Sequence, residues 1–227
     1  MECRMGFFAI LSDSETLDPL ALSARVLLVS GFMQLFLSVP LACWLARSRG
    51  VLKNVVDTAV TFPLVFPPIA TGFALLLLLG RQGPFASLLG ERIIFSFPGL
   101  VIAAFIAGLP LAIKPVQTAL ASAEATRLSE VAAVLGKSET TILIRVLIPY
   151  VKGSIVTGML LAMGRSLGEV GITLMLGGNV IGRTNTLSLE IYNAVFNGEF
   201  ERAVVLSLII GSASVAMFIA LKKISNT

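Results

Sequence analysis

Arg165 and Glu169 stand four residues apart in a run of small and apolar residues. On a helix that spacing puts a guanidinium and a carboxylate on one face, where they can pair. An ionisable group near the centre of a bilayer costs on the order of 3 kcal/mol on insertion scales, so a lone, lipid-facing placement of either is disfavoured. Two readings follow. The pair is a strut holding the core of the chain together, or Glu169 and neighbouring Ser166 belong to a path or gate. Other chemistry is missing. The chain has no histidine, which removes His-based acid/base work, most zinc sites and Ser–His or Cys–His nucleophiles. No paired carboxylates sit at catalytic spacing, so no catalytic residue and no metal ligand set is expected. Residues 131–138, V-A-A-V-L-G-K-S, half-match a phosphate-cradling loop, but Val131 stands where the motif needs glycine and no strand precedes it. The chain by itself does not read as an enzyme.

The longest polar interval, residues 126–149, carries a different kind of chemistry: docking. Leu128, Val131 and Leu135 fall on one helical face, and Ala132 and Ala133 keep the helix thin. Gly136 ends that helix at a position suited to positive φ. Ser138 is a good N-cap for a second helix from Glu139, which runs into Pro149 at the first turn of the next apolar run. A DNA-reading helix–turn–helix fails on this second helix. Ile142, Leu143, Ile144, Val146 and Leu147 are apolar, whereas a recognition helix needs polar side chains that reach base edges.

The elements that hold these residues are membrane spans. Of the 227 residues 56% are hydrophobic and 13% charged, with mean hydropathy +0.93; a soluble domain carries roughly 25% charge. A span needs about 20 apolar residues. Five candidates are 20–46, 56–80, 97–121, 148–171 and 203–221. Residues 172–176 are apolar but run into G-G-N-V-I-G-R-T-N-T, too broken for a span. A backbone dipping into the membrane there would need protein or water to cover it. Within the second span, T-F-P-L-V-F-P-P-I-A-T-G (61–72) places Pro63, Pro67 and Pro68, each of which frees a carbonyl and bends the rod. Pro67 and Thr71 are therefore candidates for the path or gate, with a packing kink as the alternative.

Basic residues set the orientation. One set of flanks holds Arg47, Arg49, Lys53, Lys114, Arg127, Lys137, Arg145, Lys152, Lys222 and Lys223. The other holds Arg4, Arg25, Arg81, Arg92, Arg183 and Arg202 with most of the acids, among them Glu2, Asp13, Glu15, Asp18, Glu91, Glu190, Glu199 and Glu201. The first set is expected in the cytoplasm. The N-terminus is then outside, the C-terminus inside, and 126–149 cytoplasmic. The net charge of +4 is a topology signal rather than a nucleic-acid signal. Residues 1–19 form a short external segment without a secretory cleavage pattern, and 20–227 form one membrane domain. Cys3 and Cys43, at opposite ends of the first span, cannot pair within one subunit.

The spacing of the docking segment resembles the cytoplasmic loop of ABC-transporter permeases, E-A-A-x3-G-x9-I-x-L-P. Glu130, Ala132 and Gly136 match; Val131 replaces the first Ala; Val146, Ile148 and Pro149 fall at the I, L and P positions. Together with 61–72 and G-R-S-L-G-E-V-G…G-R-T-N-T-L-S-L-E-I-Y (164–192), the chain from residue 20 is similar to the permeases of the oxyanion import group, for molybdate, tungstate and sulfate/thiosulfate. The compact five-span length is most like the molybdate branch. The resemblance implies an all-α integral membrane protein with a type I ABC importer permease core and a cytoplasmic coupling helix. It implies that Glu130, Ala132, Gly136, Lys137 and Pro149 serve coupling to an ATPase. It implies a homodimer in lipid of the cell membrane, two ATPase subunits that use ATP and Mg, and an extracytoplasmic oxyanion-binding protein. The chain itself would hold no cofactor and bind no nucleic acid. The absence of an Arg or Lys cluster in the spans fits a low-affinity passage. A secondary carrier, the rival from another class, needs coupling carboxylates in repeated halves, and only Glu169 qualifies.

Overall fold

The computed structural model describes residues 10, 13–81, 83–84 and 93–225, and every regular element among them is a helix. The expected positions Cys3, Arg4, Glu2, Glu91 and Arg92 lie outside these residues. Helix α1 (Ser14–Arg47) begins before the expected start at residue 20 because Asp13 caps it, its carboxylate accepting from the Glu15 N–H at 3.4 Å. At 34 residues it is about 51 Å long. Its buried face is a stripe of small and polar residues, Thr16, Ser23, Ser30, Gln34 and Ser38, while Leu28, Phe32 and Phe36 point outward. That inversion of the soluble pattern suits lipid, where close backbone approach and interhelical hydrogen bonds replace hydrophobic burial as the driving terms.

The expected span 56–80 is two helices, α2 (Val51–Val65) and α3 (Pro68–Leu79). Phe66 and Pro67 between them are extended, at ψ 142° and 131°. Pro68 has no N–H to continue a helix, and each residue before a proline is steered away from helical ψ. Pro63, by contrast, is absorbed inside α2. Helix α4 (Phe97–Leu120) is the hub, packing along both α1 and the later span; 61% of its most apolar stretch is buried.

Helix α5 (Ala123–Val134) and α6 (Glu139–Tyr150) form the docking-segment hairpin, and α7 (Lys152–Leu167) follows after a 65° bend at Val151. The span expected at 148–171 is thus shorter and sharply hinged at its start. Gly168 ends it, and α8 (Gly171–Gly177) is a separate short helix buried between α3 and α4. Helix α9 (Leu187–Phe196) lies against α1 and α10 (Phe200–Ser225). By length and apolarity α1, α4 and α10 can each cross a membrane, and the bent α6–α7 pair makes a fourth. The fifth expected span, 56–80, is the broken α2–α3, of which α3 (Pro68–Leu79) is a shorter apolar helix.

Candidate functional site

The docking hairpin is built by its caps. Ser122 starts α5, accepting from the Ala125 N–H at 3.2 Å. At the other end Gly136, with φ +73°, turns the chain so that the Lys137 N–H reaches the Ala132 carbonyl at 3.2 Å, a bond that satisfies a carbonyl of the last turn. Ser138 then caps α6 through the Thr141 N–H at 3.4 Å. The Tyr150 hydroxyl donates to Glu124 at 2.7 Å and ties the end of α6 to the start of α5. Residues Leu143–Leu147 form a wide π turn, closed by the Ile148 N–H on the Leu143 carbonyl, just before Pro149, which has no N–H to offer.

One side of this hairpin is packed and the other is bare. Ala125, Ala132, Ile142 and Leu147 join Ala42 and Leu45 of α1 and Ile113, Val116 and Leu120 of α4 in the largest apolar cluster. Leu128, Val131, Val134, Leu135 and Ile144 face away, Val134 being 89% exposed. Glu130, Gly136, Lys137 and Pro149 are exposed around that face, while Ala132 lies beneath it. The structure therefore brings the expected coupling residues together on one hairpin.

The second constellation is buried. Arg165 Nη1 bonds Glu169, whose side chain is 1% exposed, and the other Glu169 oxygen accepts from the Ile172 N–H at 2.7 Å. Glu169 thus bridges the end of α7 to the first turn of α8, where a carboxylate is favoured by unpaired N–H groups. Ser166, which lines the same small cavity as Glu169, donates to the Ala104 carbonyl at 2.6 Å. Gln34 of α1 joins them, its Nε2 donating to Ala104 O and Ser166 Oγ at 3.3 Å each. A cavity of about 20 Å³ beside Ser166 and Glu169 has room for about one water. Thr71 is buried in α3, its hydroxyl returned to the Pro67 carbonyl at 3.2 Å, and Pro67 is exposed at the break. Of the four expected path residues, Ser166 and Glu169 line that cavity and Pro67 and Thr71 do not.

Three groups escaped the sequence reading. Asp57 accepts from Lys114 Nζ at 2.8 Å and Gln117 Nε2 at 2.9 Å, clamping α2 to α4, with Lys53 at 3.9 Å. The Lys53–Asp57 spacing of four was its only signal. Gln34 is fully buried inside an apolar run, where a lone amide announces an interhelical bond. Arg202, 5% exposed, bonds Glu15 and lies 2.9 Å from Glu190, with Asp13 at 3.8 Å and Glu199 at 4.0 Å. It ties α1, α9 and α10 beside a cavity of about 400 Å³. Only Glu199, three residues before it, gave a local signal; its other partners lie as far as 187 residues away.

Comparison with known proteins agrees with this architecture. Residues 38–225 match the family described as binding-protein-dependent transport system inner membrane component. The molybdenum transport system permease protein ModB of Azotobacter vinelandii is 35% identical over 192 residues, 83% of this chain and 81% of that protein. ModB of Mycobacterium tuberculosis is 38% identical over 189 residues, 82% of this chain and 71% of its own. In a crystal structure of a bacterial alginate ABC transporter with its pentasaccharide-bound periplasmic protein, one chain superposes with TM-score 0.73 at 15% identity, over 98% of this chain and 81% of that one. The fold is that of a type I ABC importer permease core. This chain belongs to the family of inner membrane components of binding-protein-dependent transport systems, as a multi-pass membrane protein.

Proposed function

We propose that this chain is the membrane subunit of an ATP-driven importer for molybdate, with tungstate as a close competitor and sulfate or thiosulfate as the alternative cargo. The observation that carries the transport reading is the bare apolar face of α5, held by caps at both ends. An exposed patch of that kind on a charged hairpin marks a protein partner, and the partner that fits is an ATP-hydrolysing subunit. The choice of molybdate follows the names of the relatives.

In this reading two copies of the chain enclose the path, two ATPases sit beneath the α5 faces, and an extracytoplasmic binding protein delivers the oxyanion. ATP and Mg are used by the ATPases. The N-terminus lies outside and the C-terminus in the cytoplasm. Glu130, Gly136, Lys137 and Pro149 shape the ATPase contact, with Ala132 seating the hairpin. Ser166 and Glu169 serve the path by holding α7 and α8 in place, and Pro67 and Thr71 by setting the α2–α3 hinge.

The test is uptake of labelled molybdate into vesicles that hold this chain, its ATPase and its binding protein. Uptake that requires ATP, and that excess tungstate blocks while sulfate does not, is the expected result. Uptake saturated by sulfate and indifferent to molybdate would change the cargo. An assembled complex with no ATP-dependent oxyanion uptake would overturn the proposal.

A further inference from the structure

Between α7 and α10 runs an open groove of about 350 Å³, lined by Leu161, Gly164, Arg165, Ser214, Met217 and Phe218. Arg165 is the one charged residue in its lining, and its side chain stays 31% exposed although its Glu169 partner is buried. Among the described residues its hydrogen bond is to Glu169 alone. A guanidinium carries five N–H donors, so the others are without a partner among the described residues, in a side chain that lines the groove. Gly164 adds no bulk on that wall, since a side chain there would meet only Met217 Sδ, at 4.0 Å.

The height of the groove decides what fills it. Ser214 lies about 21 Å from the Phe200 end of α10 and about 17 Å from the Ser225 end, and Met217 about 26 and 12 Å, so the groove lies within the apolar stretch of the helix, in the half nearer its C-terminus. Hydrocarbon against those donors would carry the penalty of an intramembrane charge. Water in the groove would answer the donors, and a water-filled groove within a span is a route. A single cation half-neutralised by a clamped carboxylate is suited to passing an anion on rather than trapping it.

Resting on the importer reading above, we infer that Arg165 contacts the oxyanion on its way through, from a water-filled α7–α10 groove, with Glu169 as its positioning residue. The cargo it fits is a tetrahedral dianion, held by planar N–H donors.

The test uses the complete complex in proteoliposomes and reads uptake per ATP, together with preference for molybdate over the monovalent perrhenate. Arg165→Lys keeps the charge and is expected to lower uptake severalfold. The double variant Arg165→Gln/Glu169→Gln removes both charges without orphaning either. It is expected to move about tenfold less molybdate for each ATP hydrolysed, and to lose the preference for the dianion. Unchanged uptake per ATP and unchanged preference would overturn the inference. So would uptake and hydrolysis falling in proportion, which would make the pair a strut. A third variant leaves the pair intact: Ser214→Cys, in a Cys3→Ser/Cys43→Ala background. Its thiol is expected to react with a water-soluble anionic thiosulfonate, and the adduct to block uptake. A Ser214→Cys thiol that stays unreactive in the assembled complex means a dry groove, and the inference falls whatever the double variant does. Wild-type complex without ATP-dependent oxyanion uptake would instead overturn the importer reading itself.

Discussion

At Gly108 of α4 three helices meet within the reach of one methyl group. A side chain there would run into Gln34 Nε2 of α1, and into Ser166 Oγ at 2.7 Å and the Ala162 carbonyl at 2.8 Å of α7. The hydrogen bonds of Gln34 and Ser166 to the α4 backbone exist because the helices come that close. Gly108→Ala is therefore expected to destabilise the detergent-solubilised protein by about 1–3 kcal/mol, the usual range for overpacking, read as a lower unfolding midpoint. Gly153→Ala is its control: nothing lies within 4 Å of that position, and alanine in a helix gains up to about 1 kcal/mol over glycine. An unchanged midpoint in Gly108→Ala would mean the three-helix contact is looser than drawn. At this scale the sequence was half legible. The Arg165–Glu169 spacing announced its ion pair, and a lone amide at Gln34 announced an interhelical bond, but nothing named its meeting with Gly108, 74 positions away in the chain, because helix crossings leave no local period.

The hairpin of α5 and α6 is where an element acts as a unit. Gly136 holds φ +73° with nothing within 4 Å of a would-be side chain, so a substitution there acts through the backbone. A β-branched residue in that conformation costs about 1–2 kcal/mol, enough to re-aim the apolar face of α5 while the spans stay inserted. Gly136→Val is expected to reach the membrane at normal levels and to lose co-purification of the ATPase. Gly136→Asn, which tolerates left-handed φ, is expected to retain it. Full ATPase recovery and uptake with Gly136→Val would remove the hairpin from the coupling role. Much of this element could be read in advance, since Gly136 and Ser138 are local signals with local consequences. Its start at Ala123 rather than 126 follows from Ser122, a cap that lies outside the polar interval. The π turn before Pro149 and the bend at Val151 depend on how the hairpin seats on α1 and α4. Helices α8 and α9 were hidden in a stretch whose glycines resembled a loop, although Ile172, Leu176, Leu187 and Leu189 are among its most buried side chains.

For the whole molecule the charge asymmetry predicts which face meets the cytoplasm. A thiol at Asn197→Cys, exposed beyond α9, is expected to react with an impermeant reagent in intact cells. A thiol at Arg127→Cys, exposed on α5, is expected to react only after the cells are opened. The reverse pattern would invert the assignment and place the hairpin where no ATP is hydrolysed. The two faces are joined by α1 in one unbroken helix. Near its C-terminal end Ala42 and Leu45 lie against the core beneath the hairpin, and at its N-terminal end Glu15 grips Arg202. Mechanically α1 is a connecting rod. A displacement under the hairpin has one helix to travel along, softened where Pro19 and Pro40 each remove a hydrogen bond, and it arrives at a joint where α9 and α10 are latched by the same guanidinium. An event at the floor of the machine can thereby be felt at its mouth, without passing through the broken α2–α3 rod.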